Sequence, residues 1–133
     1  MKYIIYAVLL FISTPIIAQQ TVSISSNKNI IIFNNIEVAS IIDSVLNIEG
    51  SYKTSGTVEI DLSSNSIFVR YKSSSNVNTL AMAISTLKNT PQGLVIYGRD
   101  VDYNEISLTI TVDKIVLATN RSSKIEALIF TIK

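Results

Sequence analysis

The sequence predicts a single α/β domain of the α+β kind, with the order βαββαβ and a β extension after it. Three patterns carry that prediction. Apolar residues recur at helical spacing twice, at 38, 41, 42, 45 and 46 and again at 77, 80, 81, 84 and 87. Between those stretches Val58, Ile60 and Leu62, then Ile67, Val69 and Tyr71, alternate on either side of Ser63-Ser64-Asn65, which is the pattern of a β-hairpin. From residue 101 onward every apolar run has strand character.

The elements follow in order. Residues 1–18 carry one lysine, an apolar run from Ile4 to Ile17 and then Ala18 before a polar stretch, which is the pattern of a cleavable signal peptide. The run is shorter than the roughly 20 residues that a membrane-spanning helix needs. The mature chain is therefore expected to begin at Gln19, to be exported to a periplasm or the extracellular space in bacterial style, and to hold no integral membrane segment. Residues 19–29 are Ser/Asn-rich and read as a flexible leader. Ile30–Phe33 is a short buried strand. The first helix runs over 38–46, with Asn35 as its cap, Glu37 placed well for its dipole and Gly50 as its stop. After a loop at 51–56 comes the hairpin, then a second helix capped by Asn76 and ended before Pro91. Leu94–Tyr97 is a strand between two glycines. In the extension, 99–133, Ile106 to Val112, Ile115 to Ala118 and Ile125 to Ile132 are strands. The last has apolar residues at both parities, so it should be covered on both faces or leave a sticky edge.

Composition excludes whole classes of chemistry. The chain has neither cysteine nor histidine, which removes disulfides, thiol catalysis, the usual transition-metal ligands and the usual general base at neutral pH. Without Lys2, ten cations balance ten acids in the mature chain, so no basic face for nucleic acid is implied.

The order from 30 to 98 is the ferredoxin-like arrangement. Within it, VEIDLSSNSIFVRY at 58–71 followed by NVNTLAMAISTLK resembles the second half of a heavy-metal-associated (HMA) domain. Such domains are small metal carriers with paired cysteines before the first helix. The resemblance places those two metal-motif positions at Val38 and Ile41, which are hydrocarbon and cannot hold Cu(I). It therefore implies a degenerate HMA-like scaffold without its metal site, and no cofactor.

The remaining candidates are few. Asp100, Asp102 and Asn104 offer oxygen at alternate positions as a calcium loop does, although Glu105 and Thr111 stand where an EF-hand needs Gly and a bidentate acid. Glu59 and Asp61 share the solvent face of a strand, with Arg70 as a cross-strand partner, rather than forming an acid–base pair. No serine lies in a nucleophile-elbow context. Tyr52, Tyr71, Tyr97 and Tyr103 sit at loops or strand ends, where an amphipathic ring suits an interface. The expectation is a non-catalytic, exported interaction module that binds a protein partner or its own copy. The alternative is a binder of an ion or small ligand.

Overall fold

The computed structural model describes residues 28–121 and 124–133. The signal peptide expected at 1–18 lies outside the described residues, as does the leader expected at 19–29 up to residue 27. Lys28 and Asn29 already belong to the first strand.

The described chain forms nine strands and no helix, so the α+β expectation is overturned, and with it the ferredoxin-like unit at 30–98 and the resemblance to heavy-metal-associated domains. The strands are β1 (Lys28–Ile42), β2 (Val45–Tyr52), β3 (Gly56–Asp61), β4 (Ser66–Ser73), β5 (Asn76–Thr90), β6 (Gly93–Asp100), β7 (Glu105–Ile110), β8 (Lys114–Arg121) and β9 (Lys124–Ile132). All pairings are antiparallel, each strand from β3 onward lies beside the next, and β9 returns to pair with β1 from Phe33↔Ile132 to Ile41↔Ile125. Strands β2 and β3 lie along the same side of β1, one after the other, and act as a single stave broken at 53–55. The result is a closed up-and-down barrel of eight staves. Closure through β1 and β9 removes the sheet edges that would otherwise pair with other chains, except along β2, which pairs with β1 alone.

The first predicted helix is in fact a hairpin. Val38, Ile41, Ile42 and Val45 are β-branched residues that fit a pleated strand, and Asp43-Ser44 turns the chain with φ of 51° and 65°. Two successive positive φ values are what a tight hairpin turn requires. Val38 points into the barrel, whereas Ile41 is on the outer face opposite Ile125 and Leu46. Both faces of this segment are apolar, so residues of either parity imitate a helical stripe. The second predicted helix is β5. Leu80, Met82 and Ile84 face inward with period two, and a bulge between Ile84 and Thr86 then shifts the phase, pairing the exposed Leu87 with Ile96. An extra residue in a strand converts spacing of two into three, and 80, 84, 87 reads as one helix face.

The hairpin expected at 58–71 is β3–β4, with Val58↔Val69 and Ile60↔Ile67 paired and all four fully buried. Strands expected at 94–97, 106–112, 115–118 and 125–132 correspond to β6 to β9. The last is apolar on both faces as expected. Phe130 is in the barrel core, while Ile125 and Ile129 join Val116 and Ala118 in a second cluster outside it.

The interior is filled unevenly along its axis. One end carries the turns at 62–65, 91–92 and 111–113 and both ends of the described chain, where the Lys133 N–H donates to the Ile32 carbonyl at 2.9 Å. Between that end and mid-barrel lie most of the large fully buried side chains, including Val58, Ile60, Ile67, Val69, Ile96, Leu108, Ile110 and Ile115. Phe33 and Phe130 stack within them at 4.6 Å between ring centroids, tilted by 45°. Gly56 makes room for this pair, because a Cβ there would collide with the Phe33 ring and the Arg70 carbonyl. The other end carries the turns at 43–44, 74–75 and 101–104. Of its inward residues, Val38, Tyr71, Leu80 and Leu128 are only half-buried, while Ser40 and Ile106 are buried.

Candidate functional site

The opening arises from the break at 53–55. Strand β3 pairs with β4 only from Gly56↔Tyr71 to Asp61↔Ser66, and β2 has no pairing with β4, so the wall parts above Gly56. The parting exposes a cavity of about 600 Å³ lined by Ile36, Val38, Leu128 and the residues Tyr52–Thr54 and Tyr71–Ser74. An eight-stave barrel is wide enough either to be filled by side chains or to hold one small ligand, and this barrel does the first at one end and the second at the other. The volume falls within the range usual for small-molecule sites. A second, smaller cavity of about 200 Å³ adjoins it at Val38 and Leu128 and reaches Leu80, Leu117, Thr119, Glu49 and Glu126.

The polarity of the site is layered. Its floor is hydrocarbon, from Ile36, Val38 and Leu128, and its rim carries Tyr52, Lys53, Thr54, Tyr71, Lys72, Ser73 and Ser74. The rim is built from two near-identical tetrapeptides, Tyr52-Lys53-Thr54-Ser55 and Tyr71-Lys72-Ser73-Ser74, one on each side of the parting. They are tied across it by the Thr54 hydroxyl, which donates to the Lys72 carbonyl at 2.9 Å. The Tyr52 ring lies over Gly50, within van der Waals reach of where a side chain would stand. Apolar residues also crown the surrounding turns: Ile42 and Val45, Val77, Val101 and Tyr103 are all exposed, the last by 78%.

The residues singled out from sequence are distributed as follows. Val38 lines the cavity, and Ile41 is buried on the opposite face of the same strand, so the two are not brought together. Asp100 and Asn104 do meet, but to shape their own turn. Asp100 Oδ1 accepts the backbone N–H of Asp102 and of Asn104, each at 2.9 Å, and its Oδ2 accepts the Asn104 side-chain amide at 3.0 Å. Partial burial raises the Asp100 pKa, but these hydrogen bonds and nearby Arg121, 3.7 Å away, outweigh burial and hold the carboxyl below its ordinary range. The Asp102 side chain is not among these contacts. Glu59 faces outward and binds the expected Arg70 at 2.7 Å, and Lys28 at 2.9 Å; hydrogen bonds from Lys28 and then Arg70 lower its pKa. Asp61 accepts the hydroxyl of Ser63 at 2.6 Å and its N–H at 3.0 Å, which keeps its pKa low and closes the 62–65 turn. Of the four tyrosines, Tyr52 and Tyr71 reach the cavity, Tyr103 stands on a turn with φ of 63°, and Tyr97 is part-buried, which raises its pKa.

Sequence reasoning missed Ile36, Leu128, Lys53 and Lys72 as site residues. The repeated Tyr-Lys tetrapeptide was the available signal for the two lysines. Comparison of the chain with family models, curated proteins and solved structures gives no match.

Proposed function

We propose that this protein is a non-catalytic binding barrel that holds a small, largely apolar ligand in the cup at its open end. The observation that carries this reading is the 600 Å³ cavity, with a hydrocarbon floor and a hydroxyl- and ammonium-bearing rim, in a barrel otherwise filled by its own side chains. A catalytic role has less support: the chain has no His or Cys, and the carboxylates nearest the cup are already engaged, Glu49 by the Ser40 hydroxyl at 2.8 Å and Glu126 by Arg121 at 3.0 Å.

The test uses a neutral fluorescent probe, 1-aminoanthracene, titrated into the full-length protein and into Leu128→Trp, which fills the cup. The expected result is saturable enhancement at one probe per chain, lost in Leu128→Trp while its far-ultraviolet circular dichroism is retained. Equal binding to both proteins would place the probe elsewhere and sink the reading.

A second reading, contact with a protein partner or a second copy, is favoured by one observation. Ile125 and Ile129, partly exposed on the outer face of β9, pack on the buried Val116 and Ala118 of β8, an apolar stretch on a face that a barrel with an apolar core ordinarily leaves polar. Sedimentation of wild type and Ile129→Glu over a range of concentrations tests it. Self-association abolished by the substitution supports it, and a monomer throughout counts against contact with a second copy.

A further inference from the structure

We infer, resting on the cup as a binding site, that its ligand is an amphiphile with an anionic head group. The head sits between Lys53 and Lys72, and the hydrocarbon part lies on Ile36, Val38 and Leu128. The argument begins with how the cations are used. Lys28 and Arg70 are held by Glu59, and Arg121 and Lys124 by Glu126, with Asp100 near Arg121. Among the described residues Lys53, Lys72, Lys88, Arg99, Lys114 and Lys133 have no carboxylate partner; of these Lys53 and Lys72 line the same opening, and no Asp or Glu lines it with them. The opening therefore carries two uncompensated positive charges above an apolar floor.

Of the acids of the adjoining smaller cavity, Glu126 is already shared by Arg121 and Lys124, and Glu49, which accepts the Ser40 hydroxyl, lines that cavity and not the opening. A neutral apolar ligand would satisfy the floor and leave two like charges at the mouth without a counter-charge. A cationic one would add to their repulsion. An anion relieves it, and the oxygens of a carboxylate or phosphate can each accept from an ammonium while Tyr52, Tyr71, Ser73 and Ser74 offer hydroxyl donors around it. Such charge-assisted bonds are about twice as strong as neutral ones. The arrangement thus selects by head-group charge, with the floor supplying affinity for the chain.

Four compounds of equal chain length test this by calorimetry on the full-length protein: decanoate, decyl phosphate, decanol and decylamine. The expected result is that at least one of the two acids binds ten-fold or more tightly than decanol, with decylamine weakest. The double variant Lys53→Gln/Lys72→Gln should bring the acids to the affinity of decanol and leave decanol unchanged. Whether carboxylate or phosphate leads identifies the head group. Decanol or decylamine binding as tightly as both acids would overturn the inference and leave the cup intact as a site. So would an acid preference that survives the double substitution. Binding of none of the four would overturn the inference together with the site it rests on.

Discussion

The two halves of the barrel are made from the same strands, and they differ in what the strands do with their inward positions. Strand β9 shows it within one turn of the pleat. Phe130 is fully buried against Phe33, whereas Leu128, the next inward position toward the mouth, is half-buried and forms cavity floor. The turns differ in the same direction. At the packed end they are mostly polar, Ser63-Ser64-Asn65 and Pro91-Gln92, with Val112 as the exposed apolar exception; at the open end Ile42, Val45, Val77, Val101 and Tyr103 stand in solvent. The comparison teaches that stability is concentrated in one half and access in the other.

That contrast can be broken or sharpened by substitution. Phe130→Ala should have the largest effect, about 3–5 kcal/mol from lost burial and a cavity in the packed half, read by urea denaturation. Gly56→Ala comes next, about 1–3 kcal/mol, because the added methyl meets a ring and a backbone carbonyl that cannot both retreat; a stable Gly56→Ala protein would mean that the Phe33–Phe130 stack is loose. Leu128→Ala should cost only about 1 kcal/mol, below the 2–5 kcal/mol of a fully buried leucine, while weakening 1-aminoanthracene binding. If Leu128→Ala proved as costly as Phe130→Ala, the division into two halves would fail.

Acid should loosen both ends through their turns. Asp100 at the mouth and Asp61 at the packed end each have a folded-state pKa below the ordinary aspartate value. Each therefore contributes stability that is complete above that ordinary value of about 3.9 and is lost as pH falls through the lower folded one. Thermal melts between pH 6 and 2 should show a smaller acid-induced drop for Asp100→Asn than for wild type. The smallest effect belongs to the crown. Val45→Ser, Val77→Ser and Val101→Ser should each stay within about 0.5 kcal/mol of wild type, since these side chains bury little. A larger loss would show that the crown packs on something.

Legibility in the sequence differed from strand to strand. The tight β3–β4 hairpin and the alternating strands after residue 105 were readable because one face of each is buried and the turn residues are distinctive. Strands β1 and β5 were not. Each is 15 residues long and changes partner along its length, and one carries apolar residues on both faces while the other carries a bulge, so both imitate helical spacing. Tyr52 and Tyr71 were noticed as amphipathic residues at strand ends, but the cup was not. Its floor residues are ordinary apolar positions, and 92 residues of chain separate Ile36 from Leu128. Only barrel closure brings them together.

The closure has a consequence for orientation. Lys28 and Lys133 leave the barrel at its packed end, where the Lys133 N–H reaches β1. A tether or fused domain attached at the carboxyl terminus would enter from behind, and the mouth with its lysines and apolar crown would face away from the anchor. The same arrangement lets the protein be fixed to a sensor surface by its carboxyl end with the cup still turned toward the sample.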